Sequence, residues 1–238
     1  MGVWNERSWS ADYVLALRGA LDAANMSSTR IIVADGGWDP VPALLSNASF
    51  AAAVYGVGVH YPSGSNSTAG ARQTGKPLWS SEDSSTYFDS SGGGCLARIL
   101  SWNYVYGDFS ALVIWNLITS YYEGMVWYGD SLMLAATPWS GHYADMSPLW
   151  AMAHWAQFAW PGWRYLPSDT VASGAGDGGS GLLPGGGTYV TLVDATVRWL
   201  LARAELEARL GAQIGPTPRE CQRRRTRSSC IGHRDAVS

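Results

Sequence analysis

At 238 residues, with 47% hydrophobic and only 15% charged side chains, the chain is too apolar to be a disordered one. No apolar run approaches the ~18 residues that a membrane-spanning helix requires, and the length suits one globular domain or one α/β barrel of about 250 residues. The net charge of −3 divides unevenly: residues 1–197 carry 7 basic and 15 acidic side chains (−8), and residues 198–238 carry 9 and 4 (+5). An acidic body with a basic tail offers no phosphate-binding face, so no nucleic-acid partner is expected, and the tail reads as a solvated segment.

In chain order, Met1–Arg7 is too short and too polar for a signal peptide. Ser10–Asn25 reads as a helix, with Ser10 as its cap and Tyr13, Val14, Leu17, Leu21 and Ala24 at three-to-four-residue spacing. Arg30–Gly37 is a short apolar run ending in a turn signal, as in a strand buried on both faces. Val54–Pro62, Pro77–Asp83 and Ala111–Thr119 repeat that unit. Cys95–Tyr106 and Ser147–Ala159 are long enough for helices, the latter with Ser147 as cap and Pro148 at the first helical position. Strand and helix in alternation point to parallel β/α units, whose chemistry gathers at the C-terminal ends of the strands. Those ends carry Asn5-Glu6, Asp35, His60-Tyr61, Glu82-Asp83 and Trp115-Asn116.

Beyond Leu166 the pattern changes. Ser173–Gly187 is dominated by Gly and Ser without periodicity, which makes it a flexible loop or linker. Its glycines neither follow a strand nor open a helix, so it is not a phosphate loop. Gly187–Ala195 suits one strand, Thr196–Gln213 an amphipathic helix with Glu205 and Arg209 at i,i+4, and the arginine-rich remainder a disordered tail. The expected organisation is 1–166 a barrel domain, 167–187 a linker and 188–238 an unplaced strand, helix and basic tail. Cys95, Cys221 and Cys230 form no CxxC pair, and four scattered histidines supply no metal pattern, so no metal or cofactor is expected.

The aromatic balance, 13 Trp and 12 Tyr against 4 Phe, favours residues with a flat apolar face and a hydrogen-bonding edge. Such residues suit the faces and hydroxyls of a sugar, although Trp-rich cores show the same excess. Glu6 and Glu82, at two strand ends of a parallel barrel, can face each other across its mouth. Retaining glycoside hydrolysis needs one carboxylic acid and one carboxylate ~5–5.5 Å apart. Taken singly, each glutamate also has the features of a surface-loop residue.

The local sequence separates the two readings. Trp4-Asn5-Glu6 and Trp79-Ser80-Ser81-Glu82-Asp83, in that order with two strand units between, resemble clan A glycosidases. Gly2–Arg7, His60–Pro62, Thr74–Asp83, Trp115–Leu117, Ser120–Glu123, Pro138–Tyr143, Gln157-Phe158 and Pro161–Leu166 together resemble glycoside hydrolase family 59, the galactosylceramidase family. The resemblance covers residues 2–166. It implies a (β/α)8 barrel of which strands four to eight are present, and a retaining β-galactosidase acting on galactosylceramide and related glycosphingolipids.

Carried onto these residues, it implies Glu6 as acid/base, Glu82 as nucleophile and Asn5 as the partner of the sugar 2-hydroxyl. Trp115 and Tyr128 then wall the galactose pocket, with Ser85 a further pocket residue. A Trp packed inside the barrel would look the same as Trp115. His60 and Tyr61 can orient the nucleophile or be satisfied structural groups, and Asp83, on the opposite strand face, reads as structural. The resemblance also implies a saposin-type lipid-transfer activator, a lysosomal setting, no cofactor, and a disulfide from Cys95 to a cysteine that Cys230 faintly echoes. The sequons at Asn25, Asn47 and Asn66 fit a secretory route.

The pattern departs from the family in lacking strands one to three, with their galactose contacts, and the family's β-sandwich and lectin-like domains. Five strands cannot close a barrel, so the isolated chain is expected to be inactive. Two alternatives keep some of these features. Another clan A enzyme, of glucosylceramidase or galactanase type, would retain both glutamates, and a non-catalytic glycan-binding protein would retain the aromatic pocket alone.

Overall fold

A computed structural model describes residues 9–62, 67–85, 90–120, 124, 130–167, 179–183, 187–194 and 199–203. Asn5, Glu6 and Tyr128 lie outside the described residues, as do the expected fourth strand and most of the basic tail. In chain order the elements are α1 (Ala11–Ala23), β1 (Ile32–Ala34), α2 (Val41–Ser46), α3 (Ala48–Ala53), β2 (Gly56–His60), α4 (Ala69–Gln73) and β3 (Leu78–Asp83). There follow α5 (Ser90–Gly107), β4 (Phe109–Ile114), β5 (Ile118–Ser120), β6 (Met133–Ala135), a 3₁₀ turn at Pro138–Ser140, β7 (Ala144–Asp145) and α6 (Ser147–Phe158). The last are β8 (Arg164–Tyr165), β9 (Gly181–Leu182), β10 (Thr188–Val193) and β11 (Trp199–Arg203). Among the described residues no helix is long and apolar enough to cross a membrane.

The chain divides into two compact units, Met1–Asp83 with Tyr106–Ile114, and Ser84–Val105 with Trp115–Ser238. The first is built on a four-stranded sheet of order β1-β2-β3-β4 with every pairing parallel. Parallel strands are covered by the helices that connect them, which is why each strand reads as a short apolar run. The core joins Val33, Val57, Val59, Leu78 and Phe109 of the strands to Val14 and Leu21 of α1, Val41 and Leu44 of α2, and Phe50 of α3. Trp9 stacks on Phe50 with centroids 5.5 Å apart. Burying such side chains stabilises by about 1.5–3 kcal/mol each.

Capping follows the sequence where a short polar side chain precedes the helix. Ser10 caps α1 by accepting from the Tyr13 N–H at 3.4 Å, and Asn47 caps α3 by accepting from Phe50 N–H at 3.0 Å. The helical stripe proposed for α1 holds at Val14 and Leu21, but Tyr13 is exposed. Helices α2, α3 and α4 are only five or six residues long, too short for periodicity to reveal, and the sequence reading missed them.

In the second unit α5 buries Cys95, Leu96, Ile99 and Leu100, and Cys95 is held in a disulfide; the other two cysteines lie outside the described residues. β5 pairs parallel with β6, which pairs antiparallel with β7, and an antiparallel sheet of order β11-β10-β8 carries β9 on β10. The cap assigned to Ser147 is a correction. Met146 is the cap residue, and Ser147, already inside α6, instead accepts a 3.0 Å hydrogen bond from the Gly93 N–H. A second correction concerns Ala111–Thr119, expected as one strand. It is broken at Trp115-Asn116, and β4 and β5 belong to different sheets.

A third correction falls on Thr196–Gln213. Where an amphipathic helix was expected, Trp199–Arg203 forms β11 and pairs antiparallel along β10, from Val193↔Trp199 to Tyr189↔Arg203. Short apolar runs such as Trp-Leu-Leu-Ala fit either state, and the adjacent β10 edge decides by offering main-chain partners. The Gly- and Ser-rich stretch ends in β9, and Ser180 just before it is buried, its hydroxyl accepting from the Thr191 N–H.

Candidate active site

Glu82 owes its position to an irregularity in β3. By simple alternation it would follow Leu78 and Ser80, both buried, onto the helix-covered face. The register runs Val57↔Leu78, Gly58↔Trp79, Val59↔Ser80 and then His60↔Glu82, so two residues of β3 oppose one of β2. This β-bulge turns Glu82 to the face that carries Gly58 and His60. The same shift returns Asp83 to the buried face, where it is 4% exposed and accepts a 2.9 Å hydrogen bond from Ser80 Oγ. Gly58 is required at the bulge because a Cβ there would lie 2.7 Å from Ser81 Oγ and 2.8 Å from Ser81 Cβ.

Both carboxylate oxygens of Glu82 have partners. The Tyr61 hydroxyl donates to Oε1, and the Tyr61 main-chain N–H donates at 2.8 Å to the Glu82 carbonyl. His60 Nδ1 stands 3.6 Å from Oε2, within ion-pair reach when the ring is protonated. His60 Nε2 lies 2.9 Å from Asp35 Oδ1, and since an ionised carboxylate only accepts, the ring N–H is the donor. The His60 and Tyr61 rings meet edge to face with centroids 5.9 Å apart. Asp35, His60 and Glu82 are each three-quarters or more buried at the side chain (23%, 13% and 25% exposed).

Thus Asp35, His60-Tyr61 and Glu82, from the C-terminal ends of three neighbouring parallel strands, form one polar cluster. Among the described residues no cluster has the makings of a metal site. A carboxylate held on one oxygen by the Tyr61 hydroxyl and flanked on the other by the His60 ring is equipped to attack an electrophilic carbon or to stabilise a cationic one.

Ser85 and Trp115 belong to the second unit. Ser85 is 3% exposed, and its hydroxyl has no hydrogen-bond partner among the described residues. Trp115 is half-buried and joined to Asn116 by a cis peptide bond; Asn116 donates its N–H to Asp130 O at 2.8 Å and accepts from Thr119 Oγ1 at 2.8 Å. The grouping of Asp35 with His60 escaped the sequence reading. Its only signal was that Asp35 ends a strand, because pairing between strand ends depends on sheet order.

Comparison with known proteins bears on the family and the fold. Residues 1–157 match glycosyl hydrolase family 59. The chain is 46% identical over 194 residues to a galactocerebrosidase of Danio rerio and 43% identical over 195 residues to that of Homo sapiens. It is 31% identical over 192 residues to a putative galactocerebrosidase of Caenorhabditis elegans. These alignments take in 80–82% of the chain and 27–28% of the relatives, so the chain spans little more than a quarter of their length.

Among solved structures, SrfJ from Salmonella typhimurium superposes with a TM-score of 0.60 at 15% identity, over 84% of this chain and 48% of that one. A glycoside hydrolase family 30 subfamily 8 xylanase from Clostridium acetobutylicum gives 0.50 at 19%, over 79% and 46%. At such identities the likeness is one of fold, and it agrees with a parallel sheet of the (β/α)8-barrel type. With two-thirds of its length matched and its parallel strands in the expected order, the chain belongs to glycosyl hydrolase family 59.

Proposed function

We propose that the chain carries the catalytic glutamates of a retaining β-galactosidase of the galactosylceramidase type, whose substrates are galactosylceramide and related glycosphingolipids. The single observation that carries this reading is Glu82, turned by a bulge to the face of the parallel sheet that carries His60, with the Tyr61 hydroxyl donating to one oxygen and the His60 ring 3.6 Å from the other. In the first step a Glu82 oxygen bonds to the anomeric carbon as the glycosidic C–O bond breaks, and Glu6 gives its proton to the departing oxygen. In the second, water attacks the anomeric carbon, Glu6 takes the water's proton, and the ester bond to Glu82 breaks.

Esterification removes the negative charge of Glu82, so Glu6 can then lose a proton that it holds in the first step. Asn5 contacts the sugar 2-hydroxyl, Trp115 and Tyr128 wall the galactose pocket, and Ser85 contributes a hydroxyl there. The galactocerebrosidase name of the relatives supports a glycosphingolipid substrate and a lysosomal setting, and delivery of the lipid by a saposin-type activator belongs to the same proposal. Asn25 and Asn47 are exposed, as glycosylated asparagines must be.

The test uses the longest product of the gene and 2,4-dinitrophenyl 2-deoxy-2-fluoro-β-galactoside. Expulsion of dinitrophenolate with a stable sugar ester on the Glu82 peptide, absent in Glu82→Gln, is the expected result. A label on any other residue would overturn the assignment. The β-glucoside and β-xyloside analogues react far more slowly if the glycone is galactose, and a preference for either one excludes the galactosidase reading.

A further inference from the structure

We propose that Asp35 is a positioning residue for Glu82, acting through the His60 ring; the inference rests on Glu82 being the nucleophile. Three observations carry it. First, Asp35 and its neighbour Ala34 both have positive φ, 45° and 86°, at the C-terminal end of β1. A non-glycine residue held there is strained by about 1–3 kcal/mol and persists only where the surroundings impose it. Two in succession bend the chain out of β1 just where the Asp35 carboxylate meets His60.

Second, the 2.9 Å hydrogen bond from His60 Nε2 to Asp35 Oδ1 fixes which ring nitrogen faces which carboxylate. Nε2 is tied to Asp35, which leaves Nδ1 directed at Glu82 Oε2 at 3.6 Å. Without Asp35 the ring could turn about its Cβ–Cγ bond and present a carbon to Glu82. Third, the opposite oxygen of Glu82 is held by Tyr61, whose own φ is +43°. Glu82 thereby lies between the Tyr61 hydroxyl and the His60 ring, both from the C-terminal end of β2. Tyr61 reaches Glu82 directly, whereas Asp35 reaches it only by way of His60.

The rate constant for covalent trapping by the fluorinated galactoside, measured on the longest product of the gene, tests this. Asn adopts positive φ readily, so Asp35→Asn keeps the bend and removes the charge. Asp35→Gly also permits the bend and serves as a second variant should the first not fold. The expected result is a trapping rate constant lowered roughly 10- to 100-fold, the range seen when the partner that orients a metal-ligating imidazole is removed, with inhibitor Kd changed by less than about threefold. In a His60→Gln background the same Asp35 substitution changes the rate by less than about twofold, because the intermediary is gone. Equal slowing in both backgrounds, or no slowing in the native one, overturns the role of Asp35. Absence of any label on Glu82 in the native protein instead removes the nucleophile assignment, and this inference with it.

Discussion

The two ends of the first unit's parallel sheet use their polar residues in different ways. At the C-terminal end, Asp35, His60, Tyr61 and Glu82 bind one another, side chain to side chain, on strand ends with positive φ at Ala34, Asp35 and Tyr61. At the N-terminal end an open cleft of about 540 Å³ is lined by Arg18, Arg30 and Lys76, and there the cations serve the backbone. Arg18 donates to the carbonyls of Thr29 and Met26 as well as to Asp22, and Lys76 donates to the carbonyls of Ala51 and Val54 at 2.7 and 2.8 Å. Arg30 lies over the Tyr55 ring, 4.2 Å from its centroid.

The contrast teaches how one sheet separates stability from chemistry. Where α1 and α3 end and the chain turns into β1 and β2, carbonyls are left without helical partners, and long basic side chains satisfy them. Where the strands end, the backbone is strained to aim side chains at a shared point. Polar groups at one end hold the fold, and those at the other are held by it.

Four measurements test that contrast, in order of decreasing effect. Glu82→Gln should lower covalent trapping and hydrolysis by roughly 10⁴-fold or more while leaving the unfolding midpoint close to native; a fall of less than about tenfold in rate would remove Glu82 from the reaction. Gly58→Ala, between the two ends, should destabilise by about 1–3 kcal/mol in denaturant titration, because the new methyl meets Ser81. Unchanged stability would show that the bulge yields easily.

Lys76→Met should destabilise by about 1–3 kcal/mol through the orphaned carbonyls of Ala51 and Val54, with trapping kinetics unaltered. A changed trapping rate would show that the two ends of the sheet are coupled. Arg72→Ala removes an exposed pair with Asp108 at 2.7 Å and a bond to Tyr106 O, and should shift stability by no more than about 1 kcal/mol. A larger loss would mean that this surface pair contributes far more than its exposure implies.

Legibility followed physical range. β1, β2 and β3 were readable because a strand buried on both faces is a run of apolar residues, and α1 because Ser10 and the Val14–Leu21 spacing act within one segment. Glu82 was found from its flanking motif, and the opposite orientation of Asp83 from strand alternation. The capping role of Ser147 was misread because Gly93, 54 residues away, competes for its hydroxyl. The helix drawn over Thr196–Gln213 fails at Trp199–Arg203, the part that lies within the described residues, because the β10 edge that recruits this segment is invisible in a local window.

By itself the sequence determined the kind of fold and the family, since apolar runs, turn signals and collinear motifs are written along the chain. Only the tertiary structure decided which residues surround Glu82. The bulge opposite His60 and the bend at Ala34-Asp35 depend on how neighbouring strands register and turn. Register is set by main-chain hydrogen bonds between strands tens of residues apart, and no single segment of sequence specifies it.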